Sequence, residues 1–153
     1  MTYLSPAKIN LFLHITSKRD DGYHNLQTIF QLLDFYDEID FSLRNDGKIN
    51  RTSGNEDILI SDDLMIKSAK KLKQYSATNF GVDIKIIKRI PTGGGLGGGS
   101  SNAATTLVTL NKLWNLKLTN TELISIGKDI GADVPIFIEG RSSWAEGIGE
   151  ILT

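Results

Sequence analysis

Two glycine triplets around a single leucine, Gly93, Gly94, Gly95, Leu96, Gly97, Gly98 and Gly99, lead into Ser100 and Ser101 within the segment IPTGGGLGGGSSNAA. So many glycines cost backbone entropy on folding, and folding alone gives no reason to accept that cost. The segment therefore reads as a place where another body approaches the main chain. An alternating apolar run, Val82, Ile84 and Ile86, precedes it, and an alanine-rich helical run starting near Ser100 or Ser101 follows. Strand, glycine turn and helix start bring free N–H groups and the positive end of a helix to one spot. An anion, most simply a phosphate, is the natural occupant. The hydroxyls of Ser100 and Ser101 could donate to phosphate oxygen, receive magnesium, or cap the helix.

Three glycine signatures can be tested against this loop. A Walker loop ends in Gly-Lys-Ser/Thr, but here Gly99 is followed by two serines and no lysine lies between Arg89 and Lys112. Gly93, Gly95 and Gly98 satisfy the dinucleotide fingerprint literally, yet the first strands of the chain lie on the wrong side of the motif, and no acidic residue follows at the end of a second parallel strand. The protein-kinase set fails because neither H-R-D nor D-F-G follows.

Elsewhere, Lys8 and Asn10 share one face of a first strand that opens after Pro6, and Asp133 follows Gly131-Ala132 and precedes Val134-Pro135. Taken alone, Lys8 is an ordinary solvent-facing strand residue and Asp133 an ordinary turn or cap aspartate. Tyr23 and His24, after an Asp-Gly turn, could be a surface pair or a stacking and hydrogen-bonding pair for a ring. His14 reads as a sheet residue, and two histidines so placed make no metal cluster.

These residues need elements to hold them. Ala7 to Ile15 alternates as a strand, with Ile9, Leu11, Leu13 and Ile15 as its buried side. Leu26 to Asp34 and Glu38 to Leu43 are two further strand candidates, the first of which, LQTIFQLL, would also fit a helix, and Asn45-Asp46-Gly47-Lys48 is a hairpin-type turn with a short return strand over Lys48 to Arg51. Asp62 or Asp63 caps a helix to about Tyr75 with Leu64, Met65, Ala69 and Leu72 as its stripe; its lysines form a solvated face. Gly81 to Lys88 is the strand feeding the glycine loop. A helix from about Ser101 to Trp114 follows, and Thr119 with Glu122 forms a capping box for another through about Ile130. Asp133 to Ile138 reads as a short strand or extended segment, and Ser142 to Ile151 as a turn and a new strand. Strands and helices mix without a regular βαβ beat, which defines an α+β fold with a mixed sheet.

The bulk properties set limits. The 153 residues suit one domain, and 17 basic against 18 acidic side chains leave no basic field for nucleic acid. Cysteine is absent, which removes thiolate nucleophiles and cysteine-bound metals. No apolar run approaches the roughly 20 residues of a membrane span, so a cytoplasmic protein without membrane or nucleic-acid partners is expected.

At the level of whole motifs the chain resembles the GHMP kinases, and within them the family that phosphorylates 4-diphosphocytidyl-2-C-methyl-D-erythritol. The residues that carry the resemblance are PAKINLFLHI at 6–15, DGYHNLQTIFQLLD at 21–34, PTGGGLGGGSSNAA at 91–104, IGADVPIF at 130–137 and AEGIGEIL at 145–152. The resemblance implies the GHMP kinase N-terminal fold, of the ribosomal protein S5 domain 2-like type, with a mixed sheet and packed helices. It also implies ATP and Mg2+ as cofactors and a small-molecule alcohol as substrate, whose 2-hydroxyl is phosphorylated in isoprenoid precursor synthesis by the non-mevalonate route. By the same resemblance Lys8 and Asp133 are catalytic, Asn10, Tyr23, His24 and Asp133 face the substrate, and Pro91, Gly93 to Gly99, Ser100 and Ser101 hold the nucleotide.

Two departures stand out. Asp63-Leu64-Met65 replaces the family's usual Asn-Leu-Ile or Asn-Leu-Val and places a carboxylate near the expected purine region. Thr92 stands where methionine is common. Family members also continue into a second domain, so residues 1–153 are expected to be an N-terminal ATP-binding and catalytic domain, with turnover impaired if it stands alone. A nucleotide-binding fragment without turnover and a GHMP kinase for another small alcohol are the alternatives.

Overall fold

The computed structural model describes residues 1–149 and 151–153; Glu150, inside the AEGIGEIL block, lies outside the described residues. In chain order the elements are β1 (Thr2–Lys18), β2 (His24–Arg44), β3 (Ile49–Ser53), α1 (Leu64–Ser76), β4 (Gly81–Ile87), α2 (Gly98–Leu113), α3 (Asn120–Lys128), α4 (Val134–Glu139), β5 (Ser143–Glu146) and β6 (Ile151–Leu152). The sheet runs β3-β4-β2-β5-β6, with β1 paired along the opposite edge of β2. The α+β architecture with a mixed sheet is as expected.

Period-two alternation decides which face of the sheet is covered. Val82, Ile84 and Ile86 of β4 and Ile39 and Phe41 of β2 are buried, together with Met65, Ile66, Ala69 and Leu72 of α1 and Ala103, Ala104, Leu107 and Leu110 of α2. Asp63 caps α1 by accepting from the N–H groups of Met65 and Ile66, and the Thr119–Glu122 capping box opens α3. α3 ends at Lys128, two residues short of the expected Ile130.

Several elements differ from the sequence reading, each for a physical reason. The two strands expected over 26–43 are one continuous strand, β2. Its polar middle is absorbed by a register shift against β1, in which Pro6 faces Tyr36 and Lys8 faces Leu32. Asn45 to Lys48 does not fold β3 back on β2: β3 lies parallel to β4, because α1 supplies the crossover between them. The apolar residues of β1 beyond Asn10 are not a buried face, since Leu11, Leu13 and Ile15 are all more than half exposed while Lys8 is 5% exposed. Segment 133–138 is the helix α4 rather than a strand. Its five residues Val134 to Ile138 are buried all round, so no periodicity marks it, and Pro135 sits in its first turn, where a missing N–H costs nothing.

α2 begins at Gly98, ahead of the serines. Gly97 turns the chain at φ +71, and a Cβ on Gly98 would stand 3.0 Å from Ile90 and 3.2 Å from Lys88 Nζ. Close packing of the helix start on the end of β4 thus overrides glycine's poor helix propensity. Among the described residues no helix is long and apolar enough to cross a membrane.

Candidate active site

Lys8, Ile9 and Asn10 form a short regular stretch of β1 between two register shifts, one at Pro6/Lys8 and one at Asn10/Leu13. Bulges of this kind re-aim side chains, and here they turn a lysine inward. Its backbone N–H donates to the carbonyl of Leu96 at 2.9 Å, which ties β1 to the middle of the glycine loop. Its ammonium donates to Asn10 Oδ1 at 2.7 Å, lies 3.2 Å from Asp133 Oδ2, and sits 4.9 Å from the centre of the Phe30 ring. A carboxylate, an amide oxygen and a ring face together offset the burial of that charge.

Asp133 is placed by the junction of α3 and α4. It occupies the N-cap position of α4, but its side chain caps nothing. That leaves its carboxylate for Lys8 and for the cleft, with the side chain 32% exposed.

The glycine loop walls the same cleft, which measures about 360 Å³ and is lined by Lys8, Asp133, Pro91, Thr92, Gly93 to Gly99, Ser100 and Asn102, together with Asn55, Ile58, Leu64 and Lys88. Gly93, Gly95 and Gly97 all have φ between +71 and +78, so every second residue of the loop is left-handed. The first intrahelical bond of α2 runs from Ser101 N–H to Gly97 O at 2.8 Å, and the N-cap carries no side-chain bond. The N–H groups of Gly98, Gly99 and Ser100 precede it and have no intrahelical acceptor. Capping by the serines is therefore not what the hydroxyls do. Ser100 lines the cleft, whereas Ser101 is fully enclosed and accepts from Ser5 Oγ at 2.8 Å.

Of the remaining expected residues, Asn10 is engaged with Lys8 and with Thr28 Oγ1, 2.8 Å from its Nδ2. Tyr23, 60% exposed, lines a separate cavity of about 290 Å³ with Lys128, Asp129, Ile130, Gly131, Ala132 and Ile148. That cavity adjoins the two residues before Asp133. His24 lies exposed at the start of β2. Asp63 does not face the cleft: its carboxylate is 1% exposed, caps α1, and pairs with Arg51 at 2.7 Å.

Lys88 escaped the sequence reading because it lies just ahead of the interval in which a loop lysine was expected. It reaches the cleft from the end of β4, and its ammonium is paired with the buried carboxylate of Asp37. Asp37 also accepts the N–H groups of Arg89 at 2.7 Å and Ile90 at 2.9 Å, so one carboxylate fixes the strand-to-loop junction. The signal available was an aspartate within an otherwise strand-like run. Carboxylates held below their usual range lie away from the cleft: Asp83 by Asn50 and Arg44, Asp21 by Arg19 and the Tyr23 N–H. Among the described residues no group of three His, Cys, Asp or Glu side chains could cage a metal.

The cleft thus joins a phosphate-sized set of free N–H groups to a lysine–aspartate pair, an arrangement able to hold a phosphoryl donor and accept a proton from an attacking hydroxyl. The family model for the N-terminal domain of GHMP kinases matches residues 63–141. A 4-diphosphocytidyl-2-C-methyl-D-erythritol kinase of Ruthia magnifica subsp. Calyptogena magnifica is 62% identical over 99% of this chain and 53% of its own. One of Burkholderia mallei (strain SAVP1) is 54% identical over 97% of this chain and 51% of its own. A crystal structure of 4-(cytidine 5'-diphospho)-2C-methyl-D-erythritol kinase superposes with a TM-score of 0.87 at 35% identity, covering all of this chain and 54% of that one. The mevalonate kinase of Methanococcus jannaschii, at 17% identity and a TM-score of 0.65 over all of this chain and 55% of its own, shares the fold. The chain spans about half the length of the curated relatives it matches.

Proposed function

This chain belongs to the GHMP kinase family, and from that premise we propose that residues 1–153 are the N-terminal ATP-binding and catalytic domain of a cytoplasmic 4-diphosphocytidyl-2-C-methyl-D-erythritol kinase. The observation that carries the reading is the Lys8–Asp133 pair, 3.2 Å apart on the rim of the glycine loop. Relatives at 54 to 62% identity that are kinases of 4-diphosphocytidyl-2-C-methyl-D-erythritol support this acceptor.

The residues fit a nucleotide on structural grounds. The loop offers N–H groups of Gly98, Gly99 and Ser100 at the positive end of α2, and Gly93 and Gly95 leave open space where a side chain would stand. ATP with magnesium supplies the γ-phosphoryl group and neutralises the charge between phosphates; Ser100 is the hydroxyl available to it. Asp133 accepts the proton of the acceptor's 2-hydroxyl, since its carboxylate is accessible and free of capping duty. Lys8 orients that carboxylate and offsets negative charge between hydroxyl oxygen and phosphoryl group. Lys88, its ammonium paired with Asp37, stands beside the first turn of α2 and lines the cleft. Tyr23, with His24 adjacent, is available to stack on the cytosine, and its cavity is lined also by Gly131 and Ala132, the two residues before Asp133.

The test is transfer of phosphate from Mg-ATP to 4-diphosphocytidyl-2-C-methyl-D-erythritol, with mevalonate, homoserine and galactose as competing acceptors. It is run on this chain alone and on this chain joined to the remaining half of the Ruthia magnifica relative. Preference for the cytidyl acceptor in either protein is the expected result. Transfer to another alcohol instead would move the reading elsewhere in the family.

A further inference from the structure

Thr28 lies in β2, fully enclosed, opposite Leu13 of β1. Beside it the β1–β2 register slips: Asn10 faces Phe30 and Leu13 faces Thr28, so three steps along β1 match two along β2. Such a bulge displaces a main-chain group from the ladder. The Thr28 hydroxyl meets one directly, donating its only proton to the carbonyl of Phe12. With that proton committed, Oγ1 can only accept from its other neighbour, and it accepts from Asn10 Nδ2 at 2.8 Å.

This settles which way the Asn10 amide points. Its NH2 faces Thr28 and its Oδ1 faces Lys8 Nζ at 2.7 Å. Turned round, the NH2 would oppose an ammonium that has donors only, and the carbonyl oxygen would oppose a hydroxyl with no proton left to give. The chain of bonds runs from the Phe12 carbonyl through Thr28 and Asn10 to the ammonium beside Asp133. Packing alone would not call for it, since valine has the shape of threonine and suits a buried strand better.

We propose that Thr28 is a positioning residue for phosphoryl transfer: anchored on the Phe12 carbonyl, its hydroxyl fixes the Asn10 amide and through it aims the Lys8 ammonium at Asp133. The proposal rests on the kinase reading above, which supplies the reaction. Thr28 is fully enclosed and does not line the cleft, so its effect falls on turnover and leaves nucleotide binding alone.

The experiment compares the parent with Thr28→Val and Thr28→Ser by steady-state kinetics and by the 1H–15N signals of the Asn10 side-chain amide. Thr28→Val is expected to lower kcat about tenfold, the scale on which small misplacements act, with KM for Mg-ATP unchanged. Thr28→Ser keeps the hydroxyl and restores most of kcat. The Asn10 signals move in Thr28→Val and hold near their parent positions in Thr28→Ser. Thr28→Ala removes the hydroxyl without a second methyl, so it carries the same expectation should the valine variant fail to fold. A parent-like kcat in the hydroxyl-free variants, or an equal loss in Thr28→Ser, overturns the proposal. If the parent transfers no phosphate even when joined to the remaining half of the Ruthia magnifica relative, the kinase reading fails, and the Asn10 signals decide alone whether Thr28 fixes that amide.

Discussion

Lys8 Nζ and Asp133 Oδ2 stand 3.2 Å apart in unequal surroundings: the lysine side chain is 7% exposed and the aspartate 32%. The lysine is built into the sheet, and the aspartate looks out into the cleft. Asp133→Asn should therefore lower kcat by about 10² to 10⁴, the usual worth of a positioned base, and should also lower the melting temperature, because the buried Lys8 ammonium loses the carboxylate that offsets its burial. Paired melting curves and initial rates check this, and a kinetically silent Asp133→Asn would remove the proposed base.

Gly97 and Gly93 separate two costs that a glycine can conceal. Both have φ above +70, but an added Cβ at Gly97 would come within 2.8 Å of the Phe137 ring and 3.1 Å of Lys8 Cγ, whereas at Gly93 it meets nothing. Gly93→Ala should cost about 1 kcal/mol, from backbone conformation alone. Gly97→Ala should cost about 3 kcal/mol once overpacking is added, and should also disturb Lys8. Urea midpoints rank the two, and equal losses would show that the Phe137 contact yields freely.

Asp63, expected near the purine, has its carboxylate committed to contacts within the protein. Its carboxylate caps α1 and pairs with Arg51, whose side chain is 9% exposed. Asp63→Ala leaves a buried guanidinium unpaired and should cost about 3 kcal/mol or more. Asp63→Asn keeps the cap acceptor and should cost less, with KM for ATP unchanged in a transfer assay. A raised KM would return this residue to the purine.

The capping box of α3 carries a pH signature. The N–H and hydroxyl of Thr119 hold the carboxyl of Glu122 below its ordinary value of 4.5 in the folded chain. Glu122 therefore adds stability that is fully present above that value and is lost as pH falls through the lower folded value. Glu122→Gln, which can still complete the box, should differ from the parent above pH 4.5 and converge with it in acid. Unfolding midpoints across that range read the difference; a constant gap would mean that the charge is idle.

What was legible in the sequence was what local chemistry decides. The strand–glycine–helix order, the Asp63 cap and the Thr119–Glu122 box each need only neighbours along the chain. Lys8 was singled out by resemblance, and its inward placement was not legible through alternation, because two bulges turn a residue that period-two patterning leaves in solvent. β3 was misplaced because a strand's partner is chosen by the helix that carries the chain across, which its own five residues do not record. α4 was misread because its five residues Val134 to Ile138, buried on every side, show no period at all.

β2 carries His24 at its first position and Phe30, the ring beneath Lys8, six residues on. At a strand's rise this separates them by at most roughly 20 Å. Under the kinase reading, one unbroken strand is then a ruler for the acceptor, with the nucleobase end read at one mark and the reacting hydroxyl at another. Such a ruler cannot be recut by single residues, since removing one would turn every later side chain to the other face. Acceptors of different length are reached only in steps of two residues, about 7 Å at a time, so evolution toward a shorter alcohol must jump rather than slide.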